Sequence, residues 1–441
     1  MKELTREELI AIIFELRERV AVLEKENAEL LSRLGGGDAA LKPDWVKPNR
    51  KERRESERAE RKKREESFFR RCETPTQVIC HAVQNCPNCN RELSGGWVHD
   101  RRQVIEIPNT TVEIIEHVLI ARRCGVCGKR HIPKLELSGQ VLGKCRFGIR
   151  LMSVIASMAI ECRMPYRIIK KTLESLYGLK ISFGEIAEIL HKVAERGQRA
   201  YDGLLSEVRG SPVVNADETG WREDGINGYI WSFSTPSVRY FLYKQSRASA
   251  VVKEALGDEF AGALVSDFYG AYNIYEGIKQ RCWVHLLRDI KKLVEKHPTN
   301  KSVVSWADNV KKIYKQARTV ADGDFSQIQC VRARQIFEKR LLALATPYLG
   351  VKNAPQRVLA KRIDGFLGEL FTFVDTDGVP SENNAAERSV RPAVIARKVC
   401  GGSRSAKGSK TKMTLMSLFG TWSLRQINPI NACVSILASQ N

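Results

Sequence analysis

Residues 211–272 read SPVVNADETGWREDGINGYIWSFSTPSVRYFLYKQSRASAVVKEALGDEFAGALVSDFYGAY, and this stretch decides the fold. From residue 212 the pattern turns to short apolar runs separated by turns. PVVNAD closes on Asp217, Gly228 to Phe233 and Val238 to Tyr243 read as the next two strands of a meander, a helix follows over about Ala248–Leu256, and ALVSD closes on Asp267. Strands hold hard oxygen ligands rigidly, so two Asp residues at the ends of β-branched runs are what a divalent-metal site needs. Either Asp alone would also serve as a strand-end cap. The pair, in this order within a meander, argues for a catalytic sheet.

Two-metal phosphodiester chemistry needs a third acid, because ions about 3.5–4 Å apart must be bridged and flanked by carboxylates. Candidates lie in PSENNAAERSVRPAVIARK, residues 380–398. Glu382 and Glu387 are five apart and diverge by about 140° on a helix, so one of them faces the metals. Glu382 and Asn383 suit the helix start and Glu387 its interior. Spacing alone leaves the choice open.

Upstream, residues 138–210 read as helices. A run around Pro165–Tyr177, a turn at Gly178, and Ser182 as N-cap with Glu185 three residues on before IAEILHKV resemble a helix-turn-helix. The same pattern also suits helical packing unrelated to DNA. Further upstream, Cys86-Pro-Asn-Cys89 and Cys124-Gly-Val-Cys127 are two C-x2-C knuckles. In a chain read as lacking an export signal, this double spacing predicts a zinc ribbon, with four thiolates completing a tetrahedral site and the β-branched VIEIPNTTVEIIEHVLIARR between them as a hairpin. At the N-terminus, Leu9, Leu16, Leu23 and Leu30 recur every seven residues, with Ile13, Val20, Asn27 and Leu34 four residues after each. That is the d and a seam of a parallel dimeric coiled coil, with Asn27 fixing register.

Of the chain's 441 residues, 72 are Lys or Arg and 51 Asp or Glu, a net charge of +21. Residues 35–75 carry 13 basic and 9 acidic side chains, residues 279–318 carry 11 and 3, and residues 388–441 carry 9 and 0; these excesses account for the whole +21. Islands of this kind, and an acid-free tail above all, suit a polyanion, foremost nucleic acid. A charged N-terminus and a longest apolar run of only Leu151–Ile160 predict neither a secretory signal nor a membrane span.

DETGWR at 217–222, SDFYGAY at 266–272, CWVHLLRD at 282–289, ENNAAERSVRPAVIARK at 382–398 and GGSRSAKGSKT at 401–411 together resemble the insertion-sequence-66 family of bacterial and archaeal transposases. The two knuckles and the zipper are similar to that family's own zinc-binding and leucine-zipper segments. The resemblance implies a DDE transposase with an RNase H-like core, in which Asp217, Asp267 and Glu387 hold two Mg²⁺ (or Mn²⁺) ions and a helical insertion occupies about residues 286–365. One departure is Glu382, where the family usually has Asp; the charge is kept.

The expected organisation is therefore multidomain α+β: a coiled-coil dimerisation helix (1–34), a basic flexible linker (35–75), a zinc ribbon (76–137), a helical, HTH-like DNA-binding segment (138–210), the α/β catalytic core (211–400), and a basic C-terminal tail with a terminal helix (401–441). Arg388, Arg391, Arg397, Lys398, Arg404, Lys407 and Lys410 are the expected phosphate contacts. Trp221 and Tyr269 either stack on unpaired bases or pack the wall of the site. Cys282 and His285, spaced C-x2-H, either bind zinc or pack with a hydrogen bond.

The leading reading is a transposase that cleaves element ends and joins the 3′-hydroxyl to target DNA, acting as a homodimer or higher oligomer through residues 1–34 in a prokaryotic cytoplasm, with accessory proteins of the same element as further partners. The alternative is a catalytically inactive, zinc-containing dimeric DNA-binding protein derived from one. A structure-specific nuclease, which would cut without joining, is a third.

Overall fold

The computed structural model describes residues 73–107 and 111–439, together with helical Glu18–Val20 and Val22. Most of the heptad seam and the basic arm up to residue 72 lie outside the described residues. The chain divides into two units, residues 1–107 and 108–441.

In the first unit Cys86–Asn90 forms a tight turn: the Cys86 N–H donates to Arg91 O, the Asn90 N–H to Cys86 O, and Asn85 bridges Glu92. The second unit opens with the matching turn at Cys124–Gly128, flanked by strands β1 (Arg122–Arg123) and β2 (Arg130–His131). Residues 108–110, within the hairpin expected between the knuckles, lie outside the described residues. Among the described residues, Val104, Ile105 and Ile107 of the first unit and Ile114, Ile115, Val118, Leu119 and Ile120 of the second are exposed and lie in no strand. β-Branched enrichment favours extended backbone without supplying a partner strand, and the ladders form only where the knuckle turns bring backbone together.

The sheet of the second unit has the order β5-β4-β3-β6-β7. Strands β3 (Val213–Glu223), β4 (Ile226–Ser234) and β5 (Arg239–Lys244) form an antiparallel meander, and β6 (Ala263–Ser266) and β7 (Lys279–Arg281) continue it in parallel on the other side of β3. The expected strands are present, but β3 runs past Asp217 to Glu223. Asp224 and Gly225, both at positive φ, turn the chain in the two-residue connection that matches strand twist.

Helices α1 (Ile149–Ile160), α2 (Tyr166–Tyr177), α3 (Phe183–Arg196) and α4 (Gln198–Arg209) precede the sheet. Gly178 ends α2 in the left-handed region, and Ser182 with Glu185 closes a full capping box on α3. These helices do not form a separate domain. Met152, Ile155, Ile189 and Leu190 share one core with Trp231, Phe233 and Phe241 of the sheet and with Met413, Leu415 and Phe419 of α12 (Ala406–Leu424). The expected tail is therefore core structure. Its run MTLMSLFG, residues 413–420, is apolar on most sides and is buried along most of its length.

A second core belongs to the helices that follow β7: α6 (Trp283–Lys296), α7 (Lys301–Ala321), α8 (Gln327–Leu349), α9 (Arg357–Gly365) and α10 (Thr372–Asp375). Trp306, Val310, Leu341, Ile363 and Phe371 gather there with Val213, Ala263 and Val265 of the sheet. Helix α5 (Ala250–Leu256) links β5 to β6, α11 (Asn384–Cys400) follows the helical block, and α13 (Pro429–Ala438) ends the described chain. No described helix is long and apolar enough to cross a membrane.

Candidate active site

Residues on a strand alternate between faces, so Asn215 and Asp217 look to one side of β3 while Ala216 and Glu218 look to the other. The parallel pairing of β3 with β6 covers only Val213–Asn215 against Ala263–Val265, and β6 ends at Ser266. Asp217 thus stands where that ladder stops, and Asp267 follows the end of β6. A strand end, for Asp217, is made by its neighbour's length rather than its own.

Asp267 is held on both sides. Its Oδ1 accepts the Tyr269 N–H at 2.8 Å, and its carbonyl accepts from Arg281 Nη1 at 2.8 Å. Arg281 is fully buried, pairs with Glu369 at 2.5 Å, donates to Asn273 Oδ1 at 2.6 Å, and lies over the Phe366 ring. One arginine therefore locks the second Asp turn to the helical block.

Glu387 lies in the first turn of α11, where the helix dipole favours an anion. Asn383, 1% exposed, pins that turn to β3. Its Oδ1 accepts from Asn215 at 3.0 Å, its Nδ2 donates to the carbonyl of Ala216 at 2.7 Å, its backbone N–H donates to Cys282 Sγ at 3.1 Å, and its carbonyl accepts the Glu387 N–H at 3.1 Å. The preceding Ser381 accepts the Trp283 N–H through its carbonyl, and its hydroxyl takes contacts from Tyr314 and Arg318. The helical block and β3 together set where α11 begins, and hence where Glu387 sits.

Burial pushes the Asp217 carboxyl up to about 7, with further raising by the charges of Glu218, Asp267 and Glu387. Glu382, just outside α11, is not among the groups that raise it. Glu387 Oε1 is buried without a hydrogen-bond partner, 3.6 Å from His285 Nε2 and 3.9 Å from Arg288. Among the described residues, no three His, Cys, Asp or Glu side chains close around a single point. The donor chemistry nonetheless fits a hard divalent cation: the charges of Asp267 and Glu387 act on the Asp217 carboxyl, Glu387 Oε1 has no hydrogen-bond partner, and like charge of this kind is what a cation relieves.

Cys282 and His285 separate in role. Cys282 is buried, its thiol is pushed up by that burial, and its sulfur accepts from Asn383; His285 faces Glu387. Trp221 is buried, with its indole N–H donating to Ser403 Oγ at 3.1 Å, so it packs the wall. Sequence reasoning did not find Glu218. This carboxylate, 3% exposed, is bonded by Arg247 and by the Tyr272 hydroxyl, and its only sequence signal was its place beside Asp217.

Of the expected phosphate contacts, Arg388, Arg391, Lys398, Arg404, Lys407 and Lys410 are exposed. Arg397 is half-buried and donates to the carbonyl of Gly220 at 2.7 Å, tying α11 to β3. Residues 402–404 dock on the hairpin: the Ser403 N–H donates to Arg222 O and the Asp224 N–H to Ser403 O. Gly402, at φ +128°, has no room for a Cβ against Arg222 O. In the knuckles, backbone N–H groups of Asn88 and Cys89 lower the Cys86 thiol and those of Cys127 and Val126 lower Cys124, which favours thiolates ready for a metal. Cys86 and Cys89 belong to one unit and Cys124 and Cys127 to the other.

A family model described as "Transposase IS66 family" matches residues 144–411. Two proteins of Sinorhizobium fredii (strain NBRC 101917 / NGR234) are similar over about half of the chain. "Uncharacterized protein y4jD" is 24% identical over 287 residues, 57% of this chain and 55% of its own length. "Uncharacterized protein y4jO" is 26% identical over 227 residues, 51% of this chain and 67% of its own length. The chain thus spans about half the length of the first relative.

Proposed function

The chain belongs to the transposase IS66 family, and from that premise we propose that it is a DDE transposase with an RNase H-like core, which cleaves element-end DNA and joins the freed 3′-hydroxyl to target DNA. The observation that carries this reading is the Asp217 carboxyl, where the β3–β6 ladder stops, raised by burial and by the charges of Glu218, Asp267 and Glu387. An inactive DNA-binding descendant would have no use for that destabilising concentration of charge.

Asp217, Asp267 and Glu387 would hold Mg²⁺ or Mn²⁺, and a divalent cation there supplies Lewis-acid stabilisation to a phosphodiester under attack. The chain's own residues do the positioning. Asn383 fixes α11 against β3, Arg281 fixes the Asp267 turn, and the buried Cys282 closes the gap between them. The exposed bases on and after α11 would bind DNA phosphates, and the knuckle thiols would bind structural zinc. Dimerisation through residues 1–34 would bring two element ends together, and the site of action would be the nucleoid.

The test is cleavage of duplex carrying the DNA that flanks the coding sequence, with Mg²⁺ or Mn²⁺. The wild-type chain should nick and join it. Asp217→Asn and Glu387→Gln should each lose at least about 10³-fold in rate while still shifting the duplex in a gel. Cutting by Asp217→Asn near the wild-type rate would sink the assignment.

A further inference from the structure

Arg247, on the connection from β5 to α5, is built into the rim of this acidic centre more firmly than a surface arginine needs to be. Its Nε donates to Glu218 Oε1 at 3.0 Å and its Nη2 bonds the same oxygen. The guanidinium lies flat on the Tyr269 ring, 3.8 Å from the centroid, with the Tyr229 ring at 5.6 Å. The Tyr269 hydroxyl donates to the backbone carbonyl of Arg247 at 2.8 Å, so the same tyrosine holds both ends of the residue. Beneath, Glu218 also accepts from Tyr272, a fully buried side chain. A carboxylate this buried costs several kcal/mol unless it is paired, and here it acts as a pedestal.

What the pedestal presents is a cation with its side chain still 43% exposed. Among the described residues, Nη1 makes no protein hydrogen bond. The link to the acidic centre runs through Tyr269, whose backbone N–H donates to Asp267 Oδ1 at 2.8 Å while its ring carries the Arg247 guanidinium, so Arg247 stands near the second carboxylate without bonding it. A DNA strand approaching Asp217, Asp267 and Glu387 meets repulsion at each phosphate, and a guanidinium whose plane is fixed offers compensation at little entropic cost. Of the other arginines near the carboxylates, Arg281 is fully buried and committed to Glu369, Asn273 and the Asp267 carbonyl, and Arg288 faces Glu387 at 3.9 Å.

We propose that Arg247, held by Glu218 and Tyr269, is a phosphate-binding residue that seats the DNA backbone beside the carboxylate centre. This rests on the transposase reading. The competing possibility is that the Arg247–Glu218 pair only staples the β5–α5 connection to β3.

The full chain, carrying Asp217→Asn to prevent cutting, is titrated with fluorescein-labelled duplex of the DNA flanking the coding sequence, over a series of KCl concentrations. Arg247→Gln should flatten the log-log salt dependence of Kd by about one unit, Arg247→Lys should keep the slope, and Glu218→Gln should keep it as well. Lys253→Ala, which removes an exposed lysine from the adjoining α5, should leave it unchanged. A staple would give Arg247→Gln and Glu218→Gln the same slope, and either that result or a wild-type slope for Arg247→Gln overturns the proposal. Should Arg247→Gln fail to fold, Arg247→Met is read in its place with the same expectation. No binding of duplex by the parent chain would instead sink the transposase reading, which keeps the two failures apart.

Discussion

The neighbourhoods of Asp217 and of Cys86 hold their chemistry in opposite ways. Around Asp217 the chain builds the site from buried polar pins: Asn383 bonds two positions of β3, Arg281 bonds Glu369 and the Asp267 turn, and Ser381 is held by two helices. Around Cys86 and Cys124 the described residues form backbone turns, one isolated bridge, one two-residue ladder and a few exposed side-chain hydrogen bonds, with apolar side chains of residues 104–107 and 111–120 open to solvent. In the first region the fold itself fixes the backbone that carries the acids. In the second, no buried core surrounds the thiols among the described residues, and the metal expected there would have to supply the folding energy itself.

The comparison breaks most readily at Asn383. Asn383→Ala removes the partners of a buried Asn215 amide and a buried Ala216 carbonyl, and should lower unfolding free energy by about 2–4 kcal/mol in urea titrations. A loss below about 1 kcal/mol would mean that the helical block, not this pin, seats α11.

A smaller effect should come from Asp217 itself, through pH. Its folded-state pKa, about 7, lies above the ordinary carboxylate value because burial, then the neighbouring acids, disfavour the charged form. Below the unfolded-state pKa both states are protonated and nothing is lost. As pH rises from there to about 7 the unfolded chain gives up the proton first, so stability falls and the whole penalty stands above pH 7. Without divalent ions, Asp217→Asn should therefore stabilise the protein at pH 8, by about 1–3 kcal/mol after allowance for the solvent that reaches the group, and change nothing at pH 3. Thermal melts at the two pH values measure this, and equal shifts at both would remove charge repulsion as the cause.

The smallest change to the core should follow zinc removal. A strong zinc chelator should open residues 73–137 to trypsin while leaving the main melting transition within about 1 °C, because that transition belongs to cores outside the knuckles. A large fall in the main transition would show that the two regions are not energetically separate.

Much of this was legible in local patterns. The meander, the two Asp turns, the left-handed stop at Gly178 and the Ser182–Glu185 capping box follow from periodicity and turn chemistry within a few residues. Between the knuckles, the described residues lie in no strand apart from Arg122–Arg123, because β-branched propensity names a conformation and not a partner. In the basic tail, counting charge over residues 388–441 says nothing of the run 413–420, whose side chains join the core with β5 and α3.

The sequence by itself determined the candidates: the acids, the paired knuckles and the basic islands are fixed by residue type and spacing. Tertiary structure decided how α11 is seated. Local rules put Glu382 at the helix start and Glu387 inside it, and Asn383, 168 positions from Asn215, anchors the first turn of α11, which carries Glu387, to β3. It also decided that Arg397 is spent on Gly220 while Arg247, 29 positions from Glu218, stands ready at the rim. Spacing along the chain constrains neighbours within a turn or a strand, whereas contacts across such separations depend on how sheet and helices close on one another.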